Sequence, residues 1–256
     1  MMPLFVWGGF QTEEINALVR WMKRHGRITE ARDTILDVGA HIGTTSIPLA
    51  RQTGCRILAV EPLAENFELL QRNVRQNGLQ DRIVCVQKAV LGRRGAVSIV
   101  VPAGNNGGAF VRSMQENGAP AANREIRVIG KADGEPLMNI LDDHQVSPDQ
   151  IALTWCDVEG CEPQVIGTGE ALWTRGVPIF LEINPDALRI QNSLQSFQAV
   201  VARYFDRYVE SGDLIRGGAA PVVRPVAELP ALLEKVEGTE RGLTDILLLP
   251  KAFEGS

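Results

Sequence analysis

Two kinds of apolar run alternate along this chain. The first is short and nearly continuous: Thr34-Ile35-Leu36, Arg56 to Val60, Arg82 to Gln87, Ile151 to Cys156, Ile179 to Ile183 and Asp245 to Leu249. Runs that are short and apolar at successive positions predict strands buried on both faces. The second kind repeats at three- and four-residue spacing. Ile15, Leu18, Val19 and Met22 form a stripe after Thr12, which can cap a helix, and the stripe ends near His25-Gly26, with Trp21 packed beside it. Leu63, Phe67, Leu70 and Val74 form another, opened by Pro62 and stopped by Asn77-Gly78. Leu137 to His144, Leu194 to Tyr204 and Val226 to Val236 read as further helices. Buried strands separated by helices predict an α/β fold with a mostly parallel, doubly wound sheet.

One stretch breaks this alternation. Ala96 to Val101 and the turn-rich Gly104-Asn105-Asn106-Gly107-Gly108 predict a hairpin, and Arg124 to Ile129 alternates as one more strand. A parallel α/β domain does not require these pieces, so residues around 95–130 read as a β insertion. Such an insertion can carry substrate recognition or simply extend a sheet. Met1 to Phe10 is an apolar lead-in to the first helix, and Gly217-Gly218-Ala219-Ala220-Pro221 is a loop.

A chain of 256 residues with 45% hydrophobic content can bury one substantial core, which predicts a single domain over residues 1–256 with residues 1–30 as lead-in and helix. The net charge of −5 and the lack of basic clusters beyond pairs such as Arg93-Arg94 disfavour nucleic acid as a partner. Cys55, Cys85, Cys156 and Cys161 lack the short paired spacing of metal or redox sites and read as free thiols in a reducing cytoplasm. No apolar run is long enough to cross a bilayer and no charged-then-apolar leader follows Met1, so the expectation is a cytoplasmic protein with no membrane partner.

Chemistry concentrates where strands end. Asp37-Val38-Gly39-Ala40-His41-Ile42-Gly43 follows the first strand and precedes a helix, the setting of a cofactor-binding turn. Its glycines do not follow the dinucleotide spacing, and the acid two residues before Gly39 would repel a pyrophosphate but attract a cation. S-adenosylmethionine, cationic and free of phosphate, fits that preference. Glu61-Pro62 ends the second strand, where a carboxylate can reach ribose hydroxyls. Asp157, Glu159 and Glu162 follow the strand ending at Cys156, and alternation would turn Asp157 and Glu159 to one side if that strand persists. Glu162 serves equally well as a helix-start residue. Glu182 and Asn184 would project from the same sheet edge. Asp142-Asp143-His144 reads as an ordinary acidic helix surface.

Taken together, Asp37 to Gly43, Glu61-Pro62, Asn73, Asn77-Gly78 and Asp157-Val158-Glu159-Gly160-Cys161-Glu162 resemble the FkbM-type family of class I S-adenosylmethionine-dependent methyltransferases, over residues from about 33 to about 184. The resemblance implies a Rossmann-like methyltransferase fold and O-methylation of a small hydroxylated acceptor, a sugar or secondary metabolite. It implies that Asp37, Gly39, Ala40, His41, Gly43, Glu61, Pro62, Lys88, Ala89 and Asp157 bind the cofactor, with Gln87 also beside the adenine. Asp157, Glu159 or Glu182 would orient or deprotonate the acceptor; several carboxylates could also hold a magnesium ion that binds a hydroxylated acceptor, but the sequence shows no tight ligand spacing, so no metal is expected. Two departures stand out: Trp155 occupies the place of a family lysine and His41 that of a frequent asparagine. A tryptophan there can pack or wall the acceptor site. The competing functions are an NAD(P)-dependent oxidoreductase and a non-catalytic binding module on a methyltransferase fold.

Overall fold

The computed structural model describes residues 11–29, 32–102, 109–113, 126–216 and 221–253. The lead-in Met1 to Phe10, the turn Gly104 to Gly108 and the loop residues Gly217 to Ala220 lie outside them. The chain runs α1 (Thr12–Arg24), β1 (Thr34–Val38), α2 (Ser46–Thr53), β2 (Arg56–Val60), α3 (Ala64–Gln76) and β3 (Ile83–Val86). Four strands follow, β4 (Ala89–Val90), β5 (Gly95–Pro102), β6 (Phe110–Ser113) and β7 (Ile126–Glu135). Alternation then resumes with α4 (Leu137–Asp143), β8 (Ile151–Cys156), α5 (Glu162–Thr168), α6 (Glu170–Trp173), β9 (Ile179–Ile183), α7 (Pro185–Ile190) and α8 (Leu194–Tyr204). The last elements are β10 (Phe205–Glu210), α9 (Ser211–Ile215), β11 (Arg224–Pro225), α10 (Leu229–Glu237) and β12 (Thr244–Pro250).

The main sheet has the order β11-β10-β12-β9-β8-β1-β2-β3. From β9 through β3 every pairing is parallel, whereas β12 runs against both β9 and β10. All residues of β1 and β8 are buried, as expected of central strands covered on both faces. Period-two geometry divides the core. Leu36, Val38, Leu58 and Leu181 pack with α4, α5, α8 and α10, while Ile35, Ile57, Leu153 and Phe180 pack with α1, α2 and α3. The fold is a doubly wound, Rossmann-like α/β arrangement.

Three local expectations are corrected. The N-cap position of α1 is Gln11, with no side-chain cap, rather than Thr12. The strand β8 stops at Cys156 and Glu159 adopts a left-handed φ of 50°, so a turn, and not strand alternation, sets the directions of Asp157 and Glu159. The third strand of the insertion continues through Glu135, because its antiparallel ladder with β5 holds from Ile126 opposite Pro102 to Gly134 opposite Gly95. Residues 131–135 look polar and loop-like in sequence; pairing keeps them extended. The strands β4-β7-β5-β6 form a separate small sheet.

Candidate functional site

From β1 the chain steps outward to β2 and β3, and later returns on the other side as β8 and β9. A crevice opens at the carboxyl ends of strands where the order reverses in this way. The turn leaving β1 passes through Gly39, with φ 89°, and Gly43, with φ 91°. At Gly39 only glycine fits, since a Cβ would stand 1.8 Å from the Asp157 carbonyl oxygen. The turns leaving β1 and β8 press together there, with the Asp157 N–H donating to the Val38 carbonyl at 2.9 Å. His41 takes a φ of 51° between the glycines, a region that costs a side-chain-bearing residue energy. Asn73 braces the turn from α3, its Nδ2 donating to the Ile42 carbonyl at 2.7 Å.

Glu61 is aimed by its neighbours. Oε2 accepts the His41 N–H at 2.9 Å, and Oε1 accepts the Leu63 N–H at 2.9 Å and Asn66 Nδ2 at 3.4 Å. Burial raises this carboxyl above the usual range, and those donors oppose the rise. A carboxylate has roughly four acceptor sites, so one remains for a ligand hydroxyl. Asp37 is 0% exposed. The Ser46 hydroxyl donates to its Oδ2 while its Oδ1 has no partner. Burial pushes the Asp37 carboxyl up to about 7, against the Ser46 hydrogen bond and with the charges of Asp157 and Glu61 adding to the rise. Burial also lowers the His41 imidazole, favouring its neutral form.

On the other side of the crevice, Asp157, Glu159 and Glu182 each place a carboxylate oxygen within 4.8 Å of the others. Asp245 on β12 is the register partner of Glu182, is buried, and has an Oδ1 without a partner. Burial raises Asp157, and burial together with the Asp157, Asp245 and Glu159 charges raises Glu182. Glu159 reaches about 7, through burial and the Asp157 charge against an Asn184 hydrogen bond, and Asp245 reaches about 7 for the same first two causes. Among the described residues no ion pair includes Asp37, Glu61, Asp157, Glu159, Glu182 or Asp245. Glu162 lies just behind, with Oε1 accepting the Gly160 N–H at 3.0 Å and burial raising the group to about 8.

These groups surround a cavity of about 490 Å³. Gly39, His41, Glu61, Pro62, Lys88 and Ala89 line one part, and Asp157, Glu159 and Glu182 another. The expected residues Asp37, Ala40 and Gly43 stand behind the lining and support the turn. Gln87 is exposed and is not part of the wall. Lys88 is paired with Glu135, Nζ to Oε1 3.4 Å. Asn184 caps α7 by accepting the Ala187 N–H at 3.1 Å. Trp155 is buried against Phe180, ring centroids 4.5 Å apart, on the α1 side of the sheet and away from the cavity. Asp143 pairs with Arg94 across 3.7 Å outside the cavity.

Sequence reasoning missed a second set. The insertion closes the cavity with Ile99, Val101, Val111 and Ile129, and Arg241 and Leu243 reach in from the segment before β12. Period-two apolar positions in the insertion were the available signal for the first group. Nothing in the linear order ties Asp245 to Glu182, because that pairing exists only through the antiparallel register of β9 and β12, which also brings the preceding segment with Arg241 to the cavity.

A family model described as Methyltransferase FkbM domain matches residues 37–208. A curated protein of Haemophilus influenzae is 35% identical over 63 residues, and the match spans a quarter of each chain. Similar solved structures include the cofactor-bound Rv0187 from MTB, with 12% identity, 98% and 84% of the two chains covered and a TM-score of 0.47. A SAM-dependent O-methyltransferase from Thermotoga maritima shows 15% identity, 96% and 67% coverage and a TM-score of 0.44. Geranyl diphosphate methyltransferase in complex with GPP and sinefungin shows 12%, 93% and 77%, and 0.45.

Proposed function

The chain belongs to the FkbM methyltransferase domain family, and from that premise we propose that it methylates a hydroxyl oxygen of a small molecule or sugar using S-adenosylmethionine. The observation that carries this reading is one cavity that joins a glycine turn to carboxylates that make no ion pair among the described residues. A ligand can approach the backbone closely at Gly39, and the acids favour positive charge. The same acids count against the pyrophosphate of a nicotinamide dinucleotide.

The residues fit the cofactor. Glu61, held by three donors, is placed to accept ribose hydroxyls. Asp37 supplies negative potential from beneath the turn through its unpartnered Oδ1. Ala89 and Val90 give an apolar wall for a flat base. When bound, S-adenosylmethionine supplies a methyl group on a cationic sulfur, open to in-line displacement. Asp157, Glu159 or Glu182 then orients the acceptor hydroxyl in line or receives its proton as the new bond forms, and most of the work is alignment. Glu159, lifted to about 7, is poised near neutrality for the proton.

Calorimetry with S-adenosylhomocysteine and with NADH separates the cofactor classes, and binding of the first alone is expected. A screen of hydroxylated acceptors with isotopically labelled methyl donor and mass detection then identifies the product. Cofactor binding with no methylated product from any hydroxylated acceptor would favour a binding module.

A further inference from the structure

Asp157, Glu159 and Glu182 come from a strand end, a left-handed turn and a neighbouring strand, and their carboxylates converge at one sheet edge. We propose that these three carboxylates form a binding site for a hard divalent cation, Mg²⁺ or Mn²⁺, on the acceptor side of the cavity. The inference rests on the proposed methyl transfer only for its purpose, the anchoring of a hydroxylated acceptor, and not for its existence.

Proximity of acids is not enough by itself, and the second observation is Asp245. It faces Glu182 across the β9–β12 ladder, so both side chains leave the same face of the sheet at neighbouring positions. It is 3% exposed, and its Oδ1 finds no hydrogen-bond donor. A buried carboxylate oxygen left unmatched beside Glu182, on a group that also feels the Asp157 charge, is costly unless positive charge or water reaches it. Arg241, the guanidinium lining this part of the cavity, is exposed and acts on Glu182 and Asp245 only through its charge, partly opposing their rise; among the described residues it makes no ion pair with them.

The donor chemistry selects the ion. All the ligands are carboxylate oxygens, which suit Mg²⁺ and Mn²⁺ and not the softer metals that prefer sulfur or imidazole. Oxygens bound to Mg²⁺ at about 2.1 Å stand about 3 Å apart when adjacent and about 4.2 Å when opposite. Oxygens already within 4.8 Å of one another close onto such an ion with shifts below an ångström or so. Three protein ligands leave positions for water and for acceptor oxygens, as Mg²⁺ commonly requires. Asp245 would then accept a hydrogen bond from an ion-bound water or brace Glu182.

Manganese provides the test without any need for the acceptor. The full chain is stripped with a chelator, and free Mn²⁺ is followed by its solution paramagnetic resonance signal, with Mg²⁺ as competitor. The expectation is one Mn²⁺ per chain, displaced by Mg²⁺, with affinity lowered roughly tenfold or more by Asp157→Asn or Glu182→Gln, at least the loss that mutating even an outer-shell partner of a metal typically causes. Asp142→Asn, on the surface of α4, should leave it unchanged. Folding of each variant is checked by circular dichroism, and Asp245→Asn provides a gentler change with a smaller loss. Absence of Mn²⁺ binding at about 1 mM, weaker than protein calcium and magnesium sites generally work, or binding indifferent to both ligand variants, overturns the proposal. S-adenosylhomocysteine binding is measured in parallel. Its loss with Mn²⁺ binding intact would overturn the methyltransferase reading alone, and its retention without Mn²⁺ binding would overturn the cation site alone.

Discussion

Gly39 is where one atom decides the most. Its positive φ would strain any other residue, and the 1.8 Å approach of a Cβ to the Asp157 carbonyl would push the β1 and β8 turns apart. Gly39→Ala is therefore expected to lower stability by about 2 to 4 kcal/mol and to abolish S-adenosylhomocysteine binding, as thermal unfolding and calorimetry would show. Glu61→Gln tests a different quantity. Its fixed hydrogen bonds include two backbone N–H donors that suit a carboxylate better than an amide, and the ligand hydroxyls would lose a charged acceptor. A loss of about ten- to a hundredfold in cofactor affinity follows from about 1.5 to 3 kcal/mol per charged hydrogen bond. Trp155 shows why a family position does not always transfer. Its ring is part of the core beside Phe180, so Trp155→Lys would bury an ammonium and is expected to unfold the chain or cost several kcal/mol, with no gain of activity.

The insertion raises the corresponding question for an element. Neighbouring residues of β7 differ sharply: Ile129 lines the cavity, whereas Val128 is 56% exposed. If the small sheet contacts a ligand, Ile129→Ser should weaken S-adenosylhomocysteine binding or raise the acceptor KM several-fold, and Val128→Ser should do neither. Equal silence of the two would make the insertion a scaffold only. Legibility follows the same division between local and paired structure. The strands β1, β2, β8 and β9 and the helices α1, α3 and α8 carry their own hydrophobic period, so the sequence predicts them closely. The polar end of β7, the strand β10 and the helix α9 owe their form to partners distant in the chain. At the site, Gly39, Glu61, Asp157, Glu159 and Glu182 were readable because each sits at a strand end or turn. Asp245 and Arg241 were not, because register is a property of two strands and not of one.

Across the whole molecule, one sheet edge gathers acids from β1, β2, β8, β9 and β12, and that concentration should govern how stability responds to pH. The carboxyls of Asp37, Glu159 and Asp245 are raised to about 7 in the folded chain, chiefly by burial. In the unfolded chain they titrate near 4. Between those values these three groups hold more protons in the folded than in the unfolded state, so their contribution to stability falls as pH rises from about 4 to about 7. For Asp37 alone the effect is on the order of 4 kcal/mol, and the coupled groups do not simply add to it. Unfolding of the ligand-free protein is thus expected at a lower temperature at pH 8 than at pH 5, with the slope reduced in Asp37→Asn, whose amide can still accept the Ser46 hydroxyl. A cationic ligand changes the balance, because it binds the ionised acids and stabilises by mass action most where they are ionised. Saturating S-adenosylmethionine should therefore raise the melting temperature more at pH 8 than at pH 5. A ligand-induced rise that is equal at both values, or larger at pH 5, would mean that the acids of this edge do not face the cofactor's positive charge.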